Sequence, residues 1–220
     1  MARNSPPTGR ALAAGYRQSV RDITTPRLNL RRFTESDAPF ALALLNDPDW
    51  LRFIGDKEVR TLEDAGAYLR HGPITMYARF GLGLLAVDLK DGGQTIGMCG
   101  LIRRDGVADV DIGFAFLTAF RGQGYALEAA SATLACGQDS LGLNRIVGFT
   151  SPNNPSSVRL LEKIGMRLER TVTLPDSAEE LLLFASGTTP AATPATTCEP
   201  AADPLAQAGQ PFSESNRDPE

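Results

Sequence analysis

Apolar and polar positions follow two periods along residues 25–185. Seven segments have the alternation or short apolar runs that are typical of strands, at 27–31, 82–89, 95–103, 108–117, 145–150, 166–172 and 180–184. Four segments space their apolar residues as helices do, at 38–45, 62–69, 123–140 and from 154 onward. The order is one strand, two helices, an antiparallel meander and then alternating strands and helices. It predicts a mixed α/β sheet in a single domain, and not a doubly wound fold.

The composition changes at both ends of this region. Residues 1–24 contain four arginines and a Ser-Pro-Pro run, and we expect a flexible leader there. Residues 186–220 are rich in Ala, Thr, Pro and Ser, with Leu205 and Phe212 as their only large apolar residues. Such a segment buries too little surface to offset its ordering entropy, so we expect a disordered tail. The region 25–185 is then the folded domain.

The acidic charge of the chain excludes some functions. The net charge is −4 and the pI is near 5.2, which argues against a nucleic acid partner. No apolar run approaches the roughly 20 residues of a membrane span, and the first ten residues lack the apolar core of a secretory signal. We therefore expect a cytoplasmic protein without a membrane partner. The tail has one basic and five acidic residues, so the charge says little about the substrate.

The cysteines and the histidine predict neither a metal site nor a disulfide framework. Cys99, Cys136 and Cys198 are far apart, form no CxxC pair, and are accompanied by His71 as the single histidine. We interpret Cys99 and Cys136 as small core residues and expect no metal.

The segment from Asp111 to Ala129 has the pattern strand, loop, glycine turn, helix. The first amides of a helix lack intrahelical partners, and the helix dipole adds positive charge there. Gly122 and Gly124 allow the backbone to approach a bulky anion, and Arg121 adds a cation. The pattern predicts a pyrophosphate cradle, although a purely structural helix entry would look similar. Neither a Walker A motif nor a Rossmann fingerprint is present.

A second set of motifs points to a family. The (Q/R)xxGx(G/A) signature is matched by Arg121, Gly124 and Ala126. A later NxxS and EKxG pattern is matched by Asn154, Ser157, Glu162, Lys163 and Gly165. With these motifs, and with segments 25–31 and 96–101, the chain resembles the GNAT superfamily of acetyl-CoA-dependent N-acetyltransferases. The likeness is strongest to the branch of the ribosomal-protein N-terminal acetyltransferases.

The resemblance implies how acetyl-CoA binds. The family holds this co-substrate in a gap between two splayed parallel strands, here 108–117 and 145–150. The pyrophosphate would contact Arg121, Gly122, Gln123, Gly124, Tyr125 and Ala126. The pantetheine would pair with the first strand, where the amide of Phe116 or Leu117 would polarise the thioester carbonyl. Asn154 and Ser157 are further cofactor contacts, and Asn154 before Pro155 is equally a good helix N-cap.

The acceptor amine must lose a proton before it attacks, because an alkyl amine has a pKa near 10. Asp109 and Asp111 alternate with apolar residues and so share one strand face. Asp111 lies where many family members place a base or a substrate-binding carboxylate, and a solvated strand face is an equal alternative. Ser157 is a candidate hydrogen-bond donor to the leaving sulfur, since Leu161 replaces the tyrosine that many relatives use as an acid.

The predicted function is the transfer of an acetyl group from acetyl-CoA to a primary amine of a small molecule or protein N-terminus. The amine would attack directly in a ternary complex, without a metal or a covalent enzyme intermediate. The alternative is a catalytically weak CoA-binding sensor or interaction module, which Leu161 makes conceivable. The sequence leaves the acceptor open among a protein N-terminus, a polyamine, an amino acid and an antibiotic amine, and it is compatible with a monomer or a homodimer.

Overall fold

One mixed sheet positions the functional part of the chain. The structure, a computed structural model, describes residues 20–174, 179–186 and 197–200. Within these ranges the strands are β1 Val20–Thr24, β2 Leu28–Arg32, β3 Gly83–Leu89, β4 Thr95–Ile102, β5 Val110–Phe116, β6 Ile146–Thr150, β7 Met166–Thr173, β8 Glu180–Ser186 and β9 Thr197–Pro200. They pair in the order β7-β8-β6-β5-β4-β3-β2-β1-β9. The predicted mixed α/β sheet is confirmed.

Three of the described α-helices begin at residues whose side chains accept hydrogen bonds from free amides of the first turn. The described α-helices are α1 Ala38–Leu45, α2 Pro48–Phe53, α3 Leu62–Leu69, α4 Thr75–Phe80, α5 Tyr125–Asp139 and α6 Pro155–Lys163. Thr61 and Asp64 form a capping box at α3, and Asn154 accepts a 3.1 Å hydrogen bond from the Ser157 amide at α6. No α-helix in the described ranges has the length and apolar character that a bilayer crossing demands.

The helices cover the two faces of the sheet. Helix α5 packs through Ala129, Ala130 and Leu134 on the face that carries Ile112 and Phe116. Helices α1, α2 and α3 pack on the other face, against Met98 and Ala115. The side chains of successive β5 residues therefore contact different helices, and a ligand that lies beside β5 can reach both layers.

Strands β5 and β6 form the parallel pair of the described sheet and separate soon after they meet. Val110 pairs with Ile146 and Asp111 with Val147, and no further pairs join the two strands. Strand β5 continues to Phe116 along β4, while β6 continues to Thr150 along β8. This divergence is the splayed arrangement that the family resemblance implied for segments 108–117 and 145–150.

The sheet extends beyond the boundaries that the sequence suggested. Val20–Thr24 lies in the expected flexible leader, yet it pairs with β2, and Ile23 is 1% exposed. Thr197–Pro200 lies in the expected disordered tail, yet it pairs with β1. Backbone pairing to a strand edge requires no apolar periodicity, so neither segment shows a strand signal in the sequence. The rest of the leader and of the tail lies outside the described residues.

The cysteines differ from one another. Cys99 is a free, fully buried thiol, as expected for a core residue, and burial raises its pKa to about 12. Cys136 is also buried, as expected for a core residue, but it is disulfide-bonded, which the sequence analysis did not predict.

Candidate active site

The free edge of β5 faces the gap between β5 and β6. The Leu117 amide donates a 3.0 Å hydrogen bond to the Ile96 carbonyl, toward β4. Successive amides along a strand point to opposite sides, and the β4–β5 register is regular from Asp111 to Phe116. The amides of Phe114 and Phe116 therefore point into the gap. The resemblance implied Phe116 or Leu117 as the donor to the thioester carbonyl; the Leu117 amide is already bonded to Ile96, whereas the Phe114 amide points into the gap.

The glycine turn before α5 presents free amides to the same gap. Gly122 and Gly124 have φ angles of 74° and 83°, which only glycine adopts readily. A Cβ atom at Gly122 would meet nothing within 4 Å, so the space beside it is open. No side chain caps α5, in contrast to α3 and α6. The first amides of a 15-residue helix are thus available to an anion.

Arg121 does not add its charge to this turn. Its Nη2 atom lies 2.7 Å from the Asp47 carboxylate, its Nη1 atom bonds to Asp49, and its Nε donates to the Phe116 carbonyl. Its backbone amide donates to Thr118. The guanidinium therefore ties α2 to the end of β5, and two carboxylates neutralise it. The sequence assigned Arg121 to the pyrophosphate, whereas the structure shows these intramolecular contacts.

An open cleft of about 720 Å³ connects the gap, the glycine turn, α2 and α6. Eight residues of its wall were candidates in the sequence: Phe116, Arg121, Gly122, Gly124, Tyr125, Ala126, Asn154 and Ser157. Three candidates are absent from its wall, namely Asp111, Leu117 and Gln123. Gln123 instead bonds through its side chain to the Ala119 carbonyl.

The charged residues of the cleft wall are mostly basic. They are Asp49, Arg52, Arg121, Arg159 and Lys163, and with Asp47, which is bound to Arg121, their net charge is +2 (four cations and two anions). Arg159 and Lys163 are one helical turn apart on α6, and neither forms a hydrogen bond or ion pair within the described residues. A positive cleft in a chain of net charge −4 suits a polyanionic ligand.

Asp111 lies where β5 and β6 are still paired, three residues before Phe114. Its side chain is 1% exposed, and its Oδ2 atom accepts a 2.5 Å hydrogen bond from Arg104. Its Oδ1 atom has no partner among the described residues. Burial raises the pKa of Asp111 to about 6, although Arg104 acts in the opposite direction. Asp109 does not share this environment, since it lies outside β5 and pairs with Arg145 at 2.9 Å.

These observations match one protein family. Residues 27–167 match the model of the acetyltransferase (GNAT) domain, well over half of the chain. The chain belongs to the GNAT acetyltransferase family.

Named relatives agree with this assignment. The chain is 33% identical over 147 residues to an uncharacterized N-acetyltransferase, YnaD, of Bacillus subtilis (strain 168), covering 67% of this chain and 83% of YnaD. The structure resembles an acetyltransferase from Agrobacterium tumefaciens str. C58 with a TM-score of 0.65 and 26% identity, covering 76% and 94% of the two chains. RimL, a ribosomal L7/L12 alpha-N-protein acetyltransferase solved with coenzyme A, has a TM-score of 0.65 at 16% identity and covers 75% and 97%, which shows a shared fold.

The protein is therefore an acetyl-CoA-dependent N-acetyltransferase, and its residues fit that co-substrate. The free amides of the glycine turn, the open space at Gly122 and the positive cleft all suit a thioester with a pyrophosphate. Within the described residues, no group of three or more acidic, histidine or cysteine side chains is arranged to hold a metal ion.

The cleft and its surroundings also contain residues that the sequence did not identify. Phe114 is one, because only the strand register shows which amides face the gap. Asp47 is another: it is 7% exposed, binds Arg121, accepts a 2.8 Å bond from the Thr118 hydroxyl and caps α2. Arg159 and Lys163 also went unnoticed, and their spacing of four residues on a helix with an apolar stripe is a weak signal at best.

Proposed function

We propose that this GNAT enzyme transfers the acetyl group of acetyl-CoA to a primary amine of a small molecule or protein N-terminus, by direct attack in a ternary complex. The observation that carries the proposal is the free β5 edge at Phe114 and Phe116, which continues into an uncapped α5. A strand edge suits the amide-bearing pantetheine arm, and a free helix start suits the pyrophosphate.

The turn and α6 would hold the co-substrate. The amides of Gly122, Gln123, Gly124, Tyr125 and Ala126 would bind the pyrophosphate, and Arg121 would hold the turn against α2 instead of touching the phosphates. Asn154 caps α6 and lines the cleft, so the cap and a cofactor contact are compatible.

Acetyl-CoA supplies an activated thioester carbonyl for the amine. The Phe114 amide would donate a hydrogen bond to that carbonyl, and the Phe116 amide would pair with the pantetheine arm. The amine nitrogen forms the new C–N bond while the C–S bond breaks. Ser157 lines the cleft, and its hydroxyl would donate a hydrogen bond to the leaving sulfur. Leu161 is 1% exposed and packs near Gly148, so it is a core residue. A thiol has a low enough pKa (about 8.5) to leave without a strong acid.

Asp111 would take the proton of the amine. With a pKa of about 6, its carboxylate is mostly deprotonated at pH 7, as a general base must be. Because Asp111 is not part of the cleft wall, the proton would reach its unpartnered Oδ1 atom along a chain of water molecules.

Two measurements test the proposal. Acetyl-CoA should raise the melting temperature of the full chain while ATP does not, because only a ligand of the native state stabilises it. Release of CoA with varied acetyl-CoA and amine should give intersecting double-reciprocal lines. Parallel lines would contradict direct attack, and the lack of a thermal shift would contradict the cofactor assignment. A thermal shift without transfer to any amine would favour the CoA-binding sensor.

A further inference from the structure

The cleft continues past β5 to a second, mostly apolar end on the opposite face of the sheet. We call this the acceptor end, and its wall consists of Leu44, Trp50, Phe53, Ile54 and Ala115. Trp50 and Ala115 belong to the core on the α1–α3 side, whereas Phe116 packs on the α5 side with the glycine turn. If the proposed co-substrate fills the α5 side, an amine reaches the thioester from the acceptor end.

The acceptor end offers no free carboxylate to a cationic substrate. Asp49 is the single acidic residue of the cleft wall, and it is bound to Arg121. The guanidinium of Arg52 also lines the cleft and lies 4.8 Å from the centroid of the Phe53 ring. A polyamine or an aminoglycoside would bring several positive charges to a wall whose one carboxylate is already paired with Arg121.

Trp50 adds a directional preference. It is 5% exposed, it lines the cleft, and its indole N–H has no hydrogen-bond partner among the described residues. A buried donor without a partner is unfavourable, and an oxygen of a bound ligand would relieve this cost. The acceptor end therefore favours an apolar body with a hydrogen-bond-accepting oxygen.

We propose that the acceptor is an α-amine that carries an apolar side chain and an adjacent carbonyl or carboxylate oxygen. This inference rests on the proposed function. The apolar side chain lies against Phe53 and Ile54, and the oxygen accepts from the Trp50 N–H. The amine nitrogen forms an amide with the acetyl carbon, the C–S bond breaks, and the proton passes to the enzyme while CoA leaves. A free apolar amino acid, its amide and an N-terminal peptide residue all offer this chemistry.

A panel of amines tests the proposal in the CoA-release assay with the full chain. The panel contains L-phenylalanine, L-phenylalaninamide, a tripeptide that begins with phenylalanine, 2-phenylethylamine, spermidine and kanamycin. We expect kcat/KM for phenylalaninamide to exceed that for spermidine and kanamycin at least tenfold. It should also exceed that for 2-phenylethylamine, which has the apolar body but no oxygen. A comparison of kcat/KM for the free acid, the amide and the tripeptide shows whether the acceptor is a free amino acid, its amide or the N-terminal residue of a peptide.

Variants separate the Trp50 N–H from its ring. Trp50→Phe keeps an aromatic ring and removes the donor, so the preference for phenylalaninamide over 2-phenylethylamine should fall about tenfold. The dissociation constant of acetyl-CoA, measured by calorimetry, should stay within twofold. Leu51→Ala is the matched control, because Leu51 is the next residue of α2, is 39% exposed and does not line the cleft. It should leave the preference unchanged.

The outcomes distinguish this inference from the proposed function. If acetyl-CoA does not bind, the proposed function fails. If acetyl-CoA binds but spermidine or kanamycin is the best acceptor, or no α-amine of the panel is acetylated, only the acceptor class is overturned. An unchanged preference in a folded Trp50→Phe variant, checked by its melting temperature, removes the role of the indole N–H.

Discussion

Asp47 and Arg121 form an ion pair of 2.7 Å that joins the α1–α3 side of the cleft to its α5 side. Asp47 caps α2, and Arg121 lies at the end of β5 just before the glycine turn. The same guanidinium donates a hydrogen bond to the carbonyl of Phe116, and the amide of Phe116 faces the gap. One interaction therefore sets the position of α2 relative to β5 and the turn.

The substitution Asp47→Asn should destabilise the fold by about 1–3 kcal/mol, because it leaves a cation without its buried partner. The lower part of the range is expected, since Arg121 is 33% exposed and water screens part of the interaction. Urea unfolding measures the free energy. Asp56→Asn, which removes an exposed ion pair with Arg60, is the control and should have no measurable effect. Equal losses in both variants would show that the Asp47 pair has no special role.

The stability of the protein should also depend on pH through Asp47. Burial by itself would raise the pKa of Asp47, but hydrogen bonds from Arg121 and Thr118 outweigh it and hold the pKa below its ordinary value. A lowered pKa in the folded state means that the stabilisation is complete above the unfolded pKa of about 3.9, and is lost as the pH falls below it. The melting temperature of the Asp47→Asn variant should fall less than that of the wild type between pH 5 and pH 3, a range set by that unfolded value.

The glycine turn can be tested with a pair of glycines of similar conformation. Gly122 and Gly142 have φ angles of 74° and 66°, and a Cβ atom at either would meet nothing within 4 Å. Alanine at each position should therefore cost a similar amount of stability, about 1 kcal/mol. Of the two variants, only Gly122→Ala should weaken acetyl-CoA binding, by tenfold or more, since Gly122 lines the cleft and Gly142 does not. Calorimetric affinities that change equally in both variants would contradict the pyrophosphate site.

Arg159 and Lys163 should recognise the 3′-phosphate of CoA, because they are unpaired cations on the α6 wall of the cleft. Arg159→Gln should reduce the preference for CoA over 3′-dephospho-CoA about fivefold, which corresponds to the loss of one partly exposed charged contact. Arg167→Gln, at an exposed arginine of β7 outside the cleft, serves as the control. If Arg159→Gln weakens the binding of CoA and of 3′-dephospho-CoA equally, Arg159 does not recognise the 3′-phosphate.

Asp111→Asn should slow turnover more than it weakens acetyl-CoA binding, because the proposed role concerns the amine. In the wild type, kcat/KM should rise with pH around 6, as the Asp111 carboxyl loses its proton. That acid limb should be missing in the variant. A profile that keeps its limb near pH 6 would assign the titration to another group.

The local motifs could be predicted because neighbouring residues alone form them. The turn at Gly122 and Gly124 and the cap at Asn154 require only backbone conformation and side chains a few residues apart. Arg121 shows the opposite case. It looked like a phosphate ligand because Asp47, 74 residues earlier in the chain, is invisible to any local pattern.

The register and the pairing of distant segments account for the remaining differences. Whether Phe114 or Leu117 presents its amide to the gap depends on which β5 amides bond to β4, and side-chain alternation does not encode that choice. The sequence placed Asp111 on an alternating strand face and left a solvated face as an equal alternative, yet the side chain is 1% exposed and bound to Arg104. Strands β1 and β9 join the sheet through backbone bonds that leave no apolar period.

By itself, the sequence determined the mixed sheet, the family and the glycine turn, since apolar periodicity and short motifs act over a few residues. The tertiary structure alone decided which amides face the gap, that Arg121 is neutralised, that Asp111 is buried, and that the acceptor end is apolar with an unpartnered Trp50 N–H. These properties depend on contacts between residues far apart in the chain, and packing creates such contacts only when the sheet and its two helical layers assemble.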